Sequence, residues 1–224
     1  SLFVTYSVRP APHPLGIFME RNVADLLLRA KKGERQAIGQ LLEHFRSYLK
    51  LIASHEIGSK LGAKLDASDV VQDTFLDAHR YFENFQGESV TQFTAWLRSV
   101  MAGVMANYLR RYLGTKARDI RLEKQLAADL DNSAAMLSEL LVASISSPSQ
   151  NIMRDEQTVQ LAKAMSNLSA DYQSVLTLRH IEGLTFPQIA TRLNRTVDSV
   201  EKLWLRAVVQ LRKSFSPQEQ TDAQ

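Results

Sequence analysis

The apolar residues of this chain recur every three or four positions almost from end to end, and no stretch shows the alternation that a half-buried strand needs. That spacing confines the chain to helices packed on helices. Leu26, Leu27 and Ala30, then Ala37, Leu41, Leu42, Phe45, Leu49 and Ile52, form one stripe broken at Gly33. A second helix is expected to start at Asp66 or Ser68, both good N-caps, to bury Val71, Phe75, Ala78, Phe82 and Phe85, and to stop at Gly87. A third carries Phe93, Trp96, Leu97, Val100, Met101, Val104, Tyr108 and Leu109. These helices can close one bundle.

The pattern weakens after Asp119, where Asp129, Asp131, Asn132 and Ser133 interrupt it, and residues 144–149 (Ser-Ile-Ser-Ser-Pro-Ser) have linker composition. Leu137, Leu140 and Leu141 leave room for a short helix there. Order returns with Val159, Leu161, Ala162, Met165 and Leu168. The expectation is an all-α chain of two small helical domains, 22–118 and 152–215, joined by a flexible acidic linker over 119–151. An extended arm over 1–21, marked by Pro10, Pro12 and Pro14, and a tail over 216–224 flank them.

Charge follows the same division. Six bases and one acid lie between Arg98 and Arg121, seven bases and three acids between Arg179 and Lys213, and six acids and two bases between Glu123 and Glu156. Two basic blocks around an acidic connector suit two sites on one polyanion, although solvated helix faces are often basic as well. The absence of Cys excludes disulfides and thiolate chemistry, and no apolar run reaches the roughly 18–20 residues of a membrane span. No membrane insertion is expected, and a cytoplasmic location is.

In the C-terminal domain, residues 185–188 (Thr-Phe-Pro-Gln) read as a capping box with Pro187 in the first turn. Ile189, Ala190 and Leu193 face inward, and Asn194 can end this short helix in the left-handed conformation. Thr196 caps the next helix, which is expected to bury Val200, Trp204, Ala207, Val208 and Leu211. A short helix, a tight turn and a longer helix is helix-turn-helix spacing. Ser199, Glu201 and Lys202 then lie in the first turns, facing base edges, while Arg195 and Arg206 are placed for phosphates. An ordinary helical hairpin would have the same length and caps.

In the N-terminal domain, Asp66, Asp69, Asp73 and Asp77 share one helix face. Such a stripe is a solvated face, a docking surface for a basic partner with Gln72 adding hydrogen bonds, or a set of catalytic carboxylates. Exposed Asp lacks the desolvation that tunes a general acid, which weighs against the last. The following loop, 83–91, offers Asn84, Gln86 and Ser89 beside aromatics, and the next helix ends in Asn107, Arg110 and Arg111. Amides beside a basic helix can hold unstacked bases. Phe82, Phe85 and Trp96 themselves read as core.

Taken together, residues 66–75 (Asp-Ala-Ser-Asp-Val-Val-Gln-Asp-Thr-Phe), 93–97 (Phe-Thr-Ala-Trp-Leu), 107–111 (Asn-Tyr-Leu-Arg-Arg) and 168–211, with Glu-Gly-Leu-Thr-Phe-Pro-Gln-Ile-Ala at 182–190, resemble the extracytoplasmic-function (ECF) sigma factors of the sigma-70 family. The resemblance covers about 190 residues in the right order. It implies a region-2 domain at 22–118 and a region-4 helix-turn-helix domain at 152–215. It implies that Asp66, Asp69, Gln72, Asp73 and Asp77 dock the β′ coiled coil of core RNA polymerase. It further implies that Asn84, Gln86, Ser89, Asn107, Arg110 and Arg111 bind the minus-10 element, whose flipped base the 83–91 loop captures. Arg195, Thr196, Ser199, Glu201, Lys202 and Arg206 would bind the minus-35 element. The polymerase β flap and an anti-sigma factor are further implied partners. Gly103 and Glu201 stand where relatives commonly carry a polar and a basic residue, so base preference cannot be copied from them. No cofactor or metal is expected, and none of the five His pairs at ligand spacing. An enzyme is disfavoured, with no glycine-rich phosphate loop. The competing reading is a stand-alone helix-turn-helix repressor or activator, which leaves the acidic stripe and the 83–91 loop without a role.

Overall fold

A computed structural model describes residues 14–60, 65–113, 120–144 and 154–215. Among the described residues there are ten α-helices and no strand: α1 (Pro14–Lys31), α2 (Arg35–His44), α3 (Arg46–Lys60), α4 (Ala67–Tyr81), α5 (Val90–Leu113), α6 (Ile120–Ser144), α7 (Arg154–Ser166), α8 (Ala170–Leu176), α9 (Phe186–Leu193) and α10 (Val197–Phe215). The all-α expectation holds.

The N-terminal bundle follows its apolar stripe. Leu26, Leu27, Ala30, Ala37, Leu41, Leu42, Phe45, Leu49 and Ile52 are all buried. The chain turns between α1 and α2 at Gly33, whose φ of +89° is open to glycine at no steric cost. Asp66 caps α4 by accepting from the Ser68 amide at 2.7 Å. Of the residues expected inside, Val71, Ala78, Phe82 and Phe85 are buried, and α4 stops at Tyr81, ahead of the expected Gly87. Val70, Val71, Thr74 and Ala78 are inside, whereas Phe75 is half-buried beneath the Arg46 guanidinium, 4.9 Å from its ring centre. Helix α5 is enclosed on several sides, with Phe93, Leu97, Met101, Val104, Met105 and Leu109 buried against α1, α4, α6 and α7.

The segment after α5 departs most from expectation. Residues 120–144 are not a flexible linker but one 25-residue helix. Its Leu126, Leu130, Ser133, Leu137 and Leu140 repeat at intervals of three and four and are all buried. Burying each leucine contributes about 1.5–3 kcal/mol, enough to outweigh the weak helix preference of Asp129, Asp131, Asn132 and Ser133. Those polar residues find partners or face solvent. Ser133 Oγ donates to the buried Glu56 of α3 at 2.7 Å, and Asp131 accepts from Arg98 Nε of α5 at 2.6 Å. Arg98 also donates to Tyr48 Oη at 2.8 Å.

Through α6 the two helical units share one frame. Helix α7 packs on α3, α5 and α6, with Ser138 and Thr158 hydroxyls 3.1 Å apart and those of Ser47 and Ser166 3.2 Å apart. The extended arm expected over 1–21 gives way to α1 from Pro14. The rest of that arm, the tail over 216–224 and the serine-rich stretch at 145–150 lie outside the described residues.

The C-terminal unit matches its caps. Ser169 precedes α8 without a side-chain capping bond, and Gly183 takes a φ of +66° after a π-helical turn over Thr177–Ile181. Gln188 Oε1 accepts from the Thr185 amide at 2.8 Å, Asn194 is left-handed, and Thr196 Oγ1 accepts from the Ser199 amide at 3.2 Å. Val200, Ala207, Val208 and Leu211 are buried as expected, but Trp204 is only half-buried.

Candidate functional site

Three surfaces carry the residues singled out by sequence. On the first, along α4, Asp69, Gln72 and the Asp73 carboxylate share a face with Leu76, which is 59% exposed. The four carboxylates coexist because three of them have partners. Asp66 is the cap, and the Ser68 amide holds its carboxyl below the usual range. Asp73 accepts from Tyr108 Oη at 2.7 Å, and Asp77 meets Arg80 at 3.0 Å. The bond to Asp73 pushes the Tyr108 phenol up to about 12. Asp69, Gln72 and Leu76 are left outermost, a mixed acidic and apolar strip. Leu76 and Tyr108 were not picked out by charge counting; the helical register of Leu76 beside Asp69, Gln72 and Asp73 was the available signal.

The second surface is the loop into α5. Phe82, Phe85, Phe93 and Trp96 form one aromatic cluster, with centroid separations from 5.3 to 6.2 Å. These rings are platform for the loop, as the core reading expected. Asn84 and Gln86 point outward from it. Ser89 caps α5: its Oγ accepts from the Gln92 amide at 3.2 Å, while Gln92 Oε1 accepts from the amides of Glu88 and Ser89 at 2.7 and 3.2 Å. The hydroxyl of Ser89 is therefore engaged in the helix start.

Asn107, Arg110 and Arg111 are not brought to this loop. The 18 residues from Ser89 to Asn107 span about 27 Å of helix. Arg111 sits instead near the acidic strip, 5.8 Å from the ring centre of the Tyr108 that bonds Asp73. Arg110 bonds to Asn107 and pairs with Glu123 of α6 at 3.3 Å, leaving its side chain 16% exposed. Of this group Arg111 is the exposed cation.

The third surface is the outer face of α10. Glu201, Lys202 and Arg206 are exposed, Ser199 is half-buried, and Thr196 is the cap. Lys202 pairs with Asp198 at 2.8 Å and Arg195 with Asp171 at 2.7 Å, both near solvent. The back of α10 rests on His180, whose Nε2 accepts from Trp204 Nε1 at 3.0 Å, and on Phe186, edge-on to Trp204 at 5.7 Å. Burial, then Arg179, lowers the His180 pKa, which keeps that nitrogen free to accept. Arg179 covers Phe186 at 4.8 Å and donates to the Leu184 carbonyl at 2.9 Å, closing the corner ahead of α9.

Family models of sigma-70 region 2 and sigma-70 region 4 match residues 41–113 and 158–211, the helices that carry these three surfaces. The chain belongs to the sigma-70 family. It is a sigma factor, which directs RNA polymerase to promoters. It is 25% identical over 192 residues to the ECF RNA polymerase sigma-E factor of Haemophilus influenzae, covering 86% of this chain and 94% of that one. The ECF RNA polymerase sigma-E factor of Escherichia coli is 26% identical over 192 residues, covering 84% and 93%. Among solved structures, the flagellar sigma/anti-sigma complex aligns at 17% identity over 91% of this chain and 97% of that one, with a TM-score of 0.29. No described helix of this sigma factor is long and apolar enough to cross a membrane, and no described cluster of His, Asp or Glu could hold a metal ion.

Proposed function

We propose that this sigma factor is of the ECF type, with the work divided between its two helical units. Residues 22–118 dock core polymerase and engage the minus-10 element; residues 152–215 engage the minus-35 element. The acidic and apolar strip of α4 (Asp69, Gln72, Asp73 and Leu76) takes the β′ coiled coil, and a basic partner gains from Asp69 and Asp73 most. Asn84 and Gln86 read a base turned out of the stack, and Arg111 holds the strand at the far end of α5. On α10, Lys202, Glu201 and Ser199 face base edges, and Arg206 and Arg195 face phosphates. The C-terminal unit also takes the β flap, and an anti-sigma factor competes for these surfaces. The chain acts at the nucleoid in the cytoplasm and needs no catalytic group of its own.

The observation that carries this reading is the pairing, on one α4–α5 hairpin, of an outward acidic strip with an outward amide loop. A repressor acting alone uses α10 and leaves both unused. The test is co-elution of the purified chain with core polymerase, followed by start-site mapping. A complex that initiates at defined promoters supports the division. Tight, sequence-specific duplex binding by the chain alone, without polymerase binding, supports the repressor.

A further inference from the structure

The loop between Phe82 and Ser89 has neither a helix nor a ladder of its own past Asn84, yet its backbone is held at successive points. Phe85 is buried in the aromatic cluster. Gly87 lies flat against that ring: a Cβ there would fall 2.6 Å from Phe85 Cε2 and 2.9 Å from Gln92 Cβ, so no other residue fits without moving the loop. The Gln92 side chain takes the next two amides. Lys31 Nζ, on the last residue of α1, donates to the Gly87 carbonyl at 2.9 Å across 56 residues of sequence. The end of α1 is itself braced, since Arg29 pairs with Glu34 beyond the turn and with Asp25 one helical turn back.

Lys31 is exposed, so its bond competes with water and adds little to the fold. Its position gives it a different use. Asn84 precedes the pinned segment and Gln86 lies between its anchors at Phe85 and Gly87, and a reader that must order itself on binding discriminates less than one already in place. We propose that Lys31 and Gly87 are specificity-determining positioning residues, holding the loop so that Asn84 and Gln86 meet a minus-10 base at one fixed distance and angle. This rests on the reading of the 83–91 loop as the minus-10 reader. It adds α1, which carries no reader, to the parts that set base preference.

The test is transcription by holoenzyme containing the full chain, on templates randomised across the minus-10 element with the minus-35 element constant. The variants are Gly87→Ala, Lys31→Met and Lys31→Arg, with Asn84→Ala and Gln86→Ala as reader controls, each checked by thermal melting. Gly87→Ala is expected to lower the ratio of output from preferred to disfavoured templates by about tenfold, and Lys31→Met by about threefold, as small misplacements do at a reading site. Lys31→Arg, which keeps a donor, restores the ratio. Lys31 variants keep the proposal testable if Gly87→Ala misfolds. If Lys31→Met lowers all templates equally and reduces the salt slope by about one, Lys31 is a phosphate contact and the proposal fails. If the Asn84 and Gln86 variants shift preference but Lys31→Met and Gly87→Ala do not, the positioning role fails alone. If no variant shifts preference, the loop is not the reader and both readings fall.

Discussion

The loop at 84–89 and the outer face of α10 present polar side chains in two different ways. A helix carries its own order, so α10 needs a cap at Thr196, a buried edge through Val200, Ala207, Val208 and Leu211, and one support behind it in Trp204 on His180. A loop has no internal ladder, so its geometry is borrowed: a ring from Phe85, an amide clamp from Gln92 and a distant ammonium from Lys31. Damage should therefore spread differently. Loss of support behind α10 loosens a helix that still reads in register, whereas loss of the platform under the loop removes the reader.

The largest expected effect tests that contrast. Phe93 is fully buried and contacts Phe45, Phe82, Phe85 and Trp96, so Phe93→Ala should cost about 3–5 kcal/mol and strongly lower the melting temperature. Trp204→Ala, at a half-buried ring, should cost about 1–3 kcal/mol and leave a folded chain. Equal losses in thermal melts would mean the two surfaces are supported alike.

A smaller effect follows from pH. His44 and His180 are both held below the ordinary imidazole value by burial first, with Lys163 and Arg179 respectively adding to it. As pH falls below about 6.5, the unfolded chain binds protons that the folded chain refuses, so stability is full above that value and declines below it. Melting temperature should drop between about pH 7.5 and pH 5.5, and His180→Gln should flatten the drop. A flat profile in the parent chain would remove both histidines from the account.

Much of this architecture was legible from local chemistry. The caps at Asp66, Thr185, Asn194 and Thr196 lie where short-range rules put them, because each is settled within four residues. Helix α6 was legible only in its leucine spacing. Its Asp-Leu-Asp-Asn-Ser run at 129–133 has turn composition, and the Glu56 carboxylate that partners the inward Ser133 lies 77 residues away. The Lys31 contact with Gly87 is hidden for the same reason. In the site, residue identity picked the acidic strip and the amide loop but could not tell that the Ser89 hydroxyl also accepts as a cap or that Arg110 is covered by Glu123.

That cover gives the smallest effect. The Glu123 and Arg110 side chains are 22% and 16% exposed, so the pair is partly shielded from solvent. Glu123→Gln should release Arg110 and raise the affinity of the free chain for single-stranded oligonucleotides two- to fivefold at low salt, about 0.5–1 kcal/mol. Unchanged binding by fluorescence anisotropy would mean that α6 does not compete with nucleic acid there.

The central claim is that the α4 strip docks polymerase so that two weak DNA readers act together. Asp69→Lys with Asp73→Lys tests it most directly, in a run-off assay with purified core polymerase and a cognate promoter, alongside a binding titration. Two carboxylates become like charges against a basic partner, so polymerase affinity and specific transcript should both fall by about a hundredfold or more, with helicity unchanged by circular dichroism. A folded double variant that binds polymerase and initiates as the parent does would contradict the account.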